Sequence, residues 1–390
     1  MKKTYGLKPV LALIFLLCSS LLFAQKEDKE FQTIDTAIFA DNAHHWYDIF
    51  EKERLIQPKK NQPRYKATEL AAIADNILLY QKNNGGWPKS YDIQAILTAE
   101  QKDTLLAAKN EINTATFDNR STYSQIECLS KVYFVIKKER YKTAVLKGLD
   151  YILASQYANG GWPQFYPLQK NYSHYITYND DAMAGVMKLL KEITDGKVQY
   201  AFLDAALKQK LKTAFDKGIE CILKTQINDT GKPTAWCQQH NEVTLAPEWA
   251  RKFEPPSICN GESVDIVLLL MSIKNPSKEI VAAVENAVAW FNESKILYIK
   301  EKTVKIKDTV FKYHTTNRDK IIVTDSTAPP IWARYYELKT HRPLFCNRDS
   351  KVVYSLAEVD MERRTGYGWY TYSPQKVLNR YNEWKRKLVK

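Results

Sequence analysis

Four polar clusters interrupt an otherwise helical sequence, and each carries residues fit for acid–base or metal chemistry. Phe117-Asp118-Asn119-Arg120 and Tyr178-Asn179-Asp180-Asp181 each stand at the start of an apolar helical pattern. An acid there can cap the helix and complement its dipole. Two acidic helix starts on one rim can also hold a hard cation, because calcium takes carboxylate and carbonyl oxygens in flexible geometry. The third cluster runs from Trp236 and His240 through Trp249, Arg251, Lys252, Phe253 and Glu254 to Asn260-Gly261-Glu262. A connection this long and this aromatic marks function rather than disorder. The fourth, Glu362-Arg363-Arg364-Thr365-Gly366-Tyr367-Gly368-Trp369, sets a double arginine among aromatics. Guanidinium grips carboxylate bidentately, so this segment suits the rim of a carboxylate-binding site.

The elements that must position these clusters show in an internal repeat. Gln81-Lys82-Asn83-Asn84-Gly85-Gly86-Trp87-Pro88 recurs as Gln156-Tyr157-Ala158-Asn159-Gly160-Gly161-Trp162-Pro163, and a weaker copy runs from Gln226 to Trp236. Each copy follows residues with helical apolar spacing, such as Leu70, Ile73, Ala74, Ile77 and Leu78. The period of about 70–75 residues holds two helices, so the unit is a helical hairpin. Consecutive hairpins curling round an axis give an all-α fold, an (α/α) toroid or barrel with long loops and little β structure. Lys302–Tyr313 and Asp319–Val323 are the exception, and read as a short β-hairpin. The repeated tryptophans either stack on a sugar face or pack on the preceding helix end; recurrence at each hairpin favours packing.

Composition narrows the partner. Lys and Arg outnumber Asp and Glu by 57 to 44, which points to an anionic partner such as an acidic polysaccharide. Lys2 and Lys3, the apolar run to Phe23 and the boundary Ala24-Gln25 have the layout of a secretory signal peptide. Residues 1–24 are therefore expected to be removed, leaving a polar arm over 25–65, a catalytic domain over 66–390, and a periplasmic or secreted protein without a membrane span. Five cysteines beyond Cys18 are too few and too irregular for a disulfide framework; Cys237 and Cys259 could pair.

The ordered motifs Asn84-Gly85-Gly86-Trp87-Pro88, Asp118-Asn119, Asn159 to Pro167, Asn179-Asp180, Trp236 to His240, Ala250-Arg251, Gly261-Glu262-Ser263 and Glu362 to Tyr367 resemble the pectate lyases of polysaccharide lyase family ten. The resemblance spans residues 67–384. It implies an (α/α) toroid, a groove for polygalacturonate, and calcium (Ca2+) bridging enzyme carboxylates to a uronate carboxylate. It implies Arg251 as catalytic base, Asp180 as calcium-binding acid, and Asp118 as an acid of the same centre with a catalytic or metal-binding part. Arg363, Arg364, Lys252, Asn179, Trp236 and His240 are the expected substrate contacts. The expected protein is a monomer that engages no nucleic acid. Two other readings stay open on the residues: a glycoside hydrolase using Asp118 with Asp180 or Asp181, and a glycan-binding protein without catalysis.

Overall fold

The computed structural model describes residues 31–388. The expected signal peptide and Cys18 lie outside them. Helix α1 (Ala40–Tyr47) is followed by eight longer helices that alternate between an outer and an inner layer: α2 (Leu70–Tyr80), α3 (Tyr123–Ile136), α4 (Glu139–Ser155), α5 (Ala182–Thr194), α6 (Ala205–Thr225), α7 (Asn260–Met271), α8 (Lys278–Glu293) and α9 (Pro374–Leu388). α3, α5, α7 and α9 pack side by side in that order, with α4, α6 and α8 against their outer side. The result is the curved (α/α) array expected of a helical toroid.

The repeat explains the curvature. After each outer helix the indole nitrogen of a buried tryptophan donates back into that helix: Trp87 to Ile77, Trp162 to Ile152, and Trp236 to Ile222. The glutamine ahead of it donates both into its own turn and into the next outer helix. Gln81 reaches Ala144, Gln156 reaches Ala214, and Gln226 reaches Ala283. Each repeat is thus latched to its successor by a side-chain amide bonded on both sides. Gly85 and Gly160 carry φ of +95° and +94°, and a Cβ on either would lie 2.1 Å from a backbone oxygen of the following outer helix. Only glycine permits both that conformation and that approach. The tryptophans are therefore packing elements, the favoured one of the two readings.

A fourth copy escaped the sequence pattern. Trp332 is fully buried and its indole donates to Phe291 at the end of α8, although it lacks the Gly-Gly turn. Between the two lies the hairpin Ile299–Val310 with Thr315–Thr324, longer than expected and inserted into the fourth repeat. Segment 31–65 is less irregular than an arm: Phe39 and Trp46 are buried in the common core, and Asn42 donates to the carbonyl of Asn119. All five cysteines of the described residues are free thiols, Cys237 and Cys259 included. No helix among the described residues is long and apolar enough to cross a membrane.

Candidate active site

The repeat also builds the site. Two neighbouring inner helices are entered through tight turns, and these turns pack against one another. In Phe117–Arg120 the residues Asn119 and Arg120 have φ of 49° and 63°; in Tyr178–Asp181 the residues Asp180 and Asp181 have φ of 51° and 60°. The left-handed backbone suits Asn and Asp best among non-glycine residues. The amide of Phe117 bonds Gln164, that of Tyr178 bonds Gln238, and that of Asn260 bonds Arg334. Those partners all stand two residues beyond a repeated tryptophan. Lys89 stands at the same place in the first repeat. The repeat therefore delivers four polar side chains to a row of helix-start acids.

Asp118 is buried, and Lys89 Nζ lies 2.7 Å from its Oδ2. Burial by itself would raise this carboxyl; the Lys89 ammonium outweighs burial and holds Asp118 below the usual carboxylate range. Asp180 is exposed on the floor of a cavity lined also by Tyr178, Gly261 and Glu262, but these surroundings withdraw much of its hydration. That desolvation, with the Asp118 charge nearby, pushes its carboxyl up to about 7 against the pull of Arg334 and Arg251. Its only side-chain hydrogen bond among the described residues is from Asn179 Nδ2 at 2.5 Å. Asn179 in turn accepts from Arg334 Nη2 at 2.9 Å, and the same nitrogen pairs with Glu262.

Arg251 rises from the long loop over this floor. Glu254 takes its Nε at 2.8 Å, its backbone amide at 3.0 Å and its Nη2. Burial opposes the guanidinium charge, but Glu254 outweighs it and raises Arg251 further. Tyr367 Oη donates to Glu254 at 2.7 Å and fixes the carboxylate from behind. Arg363 is buried, with its guanidinium 4.4 Å from the centroid of Phe253. Burial, then the neighbouring Arg348 and Arg251, lower it to about 10.

Four expected site residues sit elsewhere or act differently. Trp236 is fully buried with its indole donated to Ile222, so it cannot meet a sugar; Trp249, in the same loop, is the exposed tryptophan. His240 is fully buried between the Cys237 amide and the Leu245 carbonyl. It shapes the loop under Tyr178 rather than facing the groove. Arg364 pairs through two nitrogens with Asp319 of the inserted hairpin. Lys252 is exposed and takes no part in the ion pairs round Arg251. Asp118, Asn179, Asp180, Arg251 and Arg363 gather on one face, joined by Lys89, Arg334, Glu254 and Glu262, which were not among the expected site residues. Their signal was place in the repeat, and closeness to Arg251.

Among the described residues no three histidines, cysteines or carboxylates converge closely enough to hold a metal by themselves. Among the buried oxygens without a hydrogen-bond partner are two carboxylate oxygens of this row, Asp118 Oδ1 and Glu262 Oε2, on the helix starts either side of Asp180. Such a donor set fits a hard cation that a ligand carboxylate helps to hold.

A helical repeat whose rim sets cations over a row of carboxylates suits an anionic ligand. The comparisons give the family. The pectic acid lyase profile matches residues 81–378. A family 10 polysaccharide lyase from Cellvibrio cellulosa matches with 30% identity and a TM-score of 0.67, over 80% of this chain and 91% of that one. An Asp-to-Ala mutant of a Cellvibrio cellulosa family 10 lyase, in complex with trigalacturonic acid, matches at the same identity and TM-score over 92% of its length. No curated protein matches. The chain belongs to the pectic acid lyases of polysaccharide lyase family 10, and is a polysaccharide lyase.

Proposed function

We propose that the protein is an exported pectate lyase that cleaves polygalacturonate by calcium-assisted β-elimination and leaves unsaturated oligogalacturonides. The observation that carries this reading is the cation set Lys89, Arg251, Arg334 and Arg363 over carboxylates that are only partly neutralised. A polymer with one carboxylate per sugar supplies the anionic groups that such a cation set holds.

Elimination removes a proton from the carbon beside a uronate carboxylate and expels the neighbouring glycosidic oxygen. The proton becomes acidic only when charge is drawn onto the carboxylate oxygens. Calcium, held by Asp180 and Asp118 with Glu262 beside them, would supply part of that polarisation. Arg334, through Asn179, fixes the second turn and keeps Asp180 aimed at the groove. Arg363 stands ready as a cation for the substrate carboxylate, its Nε 3.5 Å from Glu362 and its Nη2 bonded to the Gly366 carbonyl. Arg251 is the base. Glu254 holds its Nε and Nη2, which leaves Nη1 for the substrate. The same pairing keeps Arg251 charged in the free protein, so it has to loosen, and the guanidinium has to release a proton to solvent, before Arg251 can take one from the substrate.

The test is ultraviolet absorbance of the unsaturated uronide on mixing with polygalacturonate, with calcium and then with chelator. A calcium-dependent rise is expected. Arg251→Ala should lower turnover about a thousandfold while oligogalacturonate still binds. Near-normal turnover of that variant would remove Arg251 as the base.

A further inference from the structure

The groove has an end that the family match does not reach. The profile begins at residue 81, whereas residues 52–55 form one wall of a cavity of about 420 Å³ on the far side of Asp118. The opposite wall comes from the loop after Trp162, with Phe165, Gln169, Asn171 and Tyr172. Between the walls stands Lys89. Its ammonium is shared between two carboxylates, Asp118 at 2.7 Å and Glu53 at 2.8 Å.

The two partners differ in what holds them. The Asp118 side chain is 5% exposed and belongs to the site floor. That of Glu53 is 60% exposed and projects from a segment anchored without it. Glu51 makes that anchor: it pairs with His45 at 3.2 Å, accepts from Ser90 Oγ at 3.2 Å, and takes the Glu53 amide at 2.7 Å. The Glu53 carboxylate can therefore leave Lys89 while the backbone stays in place. The pair is open to solvent on the Glu53 side, so another carboxylate can take the place of Glu53 on the Lys89 ammonium. Around the seat are half-buried aromatic faces, Phe165 and Tyr172, and side-chain amides, Gln169 and Asn171. This is the lining of a sugar site: rings for the pyranose face, amides for the hydroxyls, an ammonium for the carboxylate.

We propose that this cavity is a further uronate subsite with Lys89 as its carboxylate seat, and that Glu53 of the amino-terminal segment fills that seat in the free protein. The subsite deepens the polygalacturonate reading and rests on it. Glu53 then sets how strongly the enzyme prefers long chains, because only an oligomer that reaches past the central sugars can displace it.

Equilibrium binding of a ladder of galacturonate oligomers, followed by calorimetry, tests this without turnover. Glu53→Gln should tighten binding about twofold to tenfold for oligomers long enough to reach Lys89, and leave the shortest unchanged. Lys89→Met should erase that length-dependent gain in the double variant. Equal tightening at every length would mean only a general loss of repulsion and would overturn the proposal, as would no change at any length. A length step in a protein that yields no unsaturated product would leave the subsite standing and remove the lyase reading instead.

Discussion

The turns Phe117–Arg120 and Tyr178–Asp181 have nearly the same backbone, enter neighbouring inner helices, and each present an Asp-Asn or Asn-Asp pair. Their carboxylates nevertheless live in opposite states. Asp118 has Lys89 at 2.7 Å and stays below the usual carboxylate range. Asp180 has only an amide donor beside it, and is pushed up to about 7. The difference comes from the residue two places beyond the repeated tryptophan. It is Lys in the first repeat, Gln in the second and third, and Arg in the fourth. The repeat thus fixes where a side chain stands, and substitution within the repeat decides its charge. One acid is kept paired and ionised, while the next is left short of positive charge.

The comparison can be broken at either turn. Asp180→Asn keeps the turn but removes the charge-hungry oxygen. Activity on polygalacturonate should fall about a hundredfold to a thousandfold, with the calcium response lost, in a steady-state assay over a calcium series. Lys89→Met should make the first turn resemble the second. It strands the Asp118 charge, so unfolding stability should drop by about 3 kcal/mol in denaturant titration. His240 supports the second turn from below. Burial keeps its ring neutral down to about pH 4, against an ordinary value of 6.5. The unfolded chain binds that proton first, so stability is complete above about pH 6.5 and declines by up to about 3 kcal/mol as pH falls through this window. His240→Gln should flatten that part of the stability profile. The smallest effect belongs to Arg364, committed to Asp319: Arg364→Lys should leave kcat/KM within about twofold, whereas Arg363→Lys should lower it about tenfold.

Much of this architecture is written locally. The tryptophan repeat, its glycines and the helix periodicity are short-range signals, and they yield the helical hairpins and three of the four copies. The fourth was hidden because Trp332 lacks the Gly-Gly turn and stands behind the hairpin Ile299–Val310 with Thr315–Thr324. Arg251 was assigned by the family resemblance, whereas Asp118 and Asp180 stood out as acids at the starts of apolar helices. Lys89 and Arg334 did not, since their meaning lies in tertiary pairs: Arg334 meets Asn179 across 155 residues of chain. Trp236 and His240 misled for the converse reason. Aromatic and imidazole groups in a long polar loop look like ligand contacts, and here the loop folds inwards and uses them as its core.

The central claim is elimination rather than hydrolysis at the site of Asp118, Asp180 and Arg251. Digestion of polygalacturonate in heavy-oxygen water, followed by mass spectrometry of the products, tests it most directly. The account predicts oligomers that carry no label from solvent, with one product of each cleavage lighter by a water than its saturated counterpart. Heavy oxygen at the new reducing ends, with no unsaturated product, would contradict it and turn the two acids into the pair of a glycoside hydrolase.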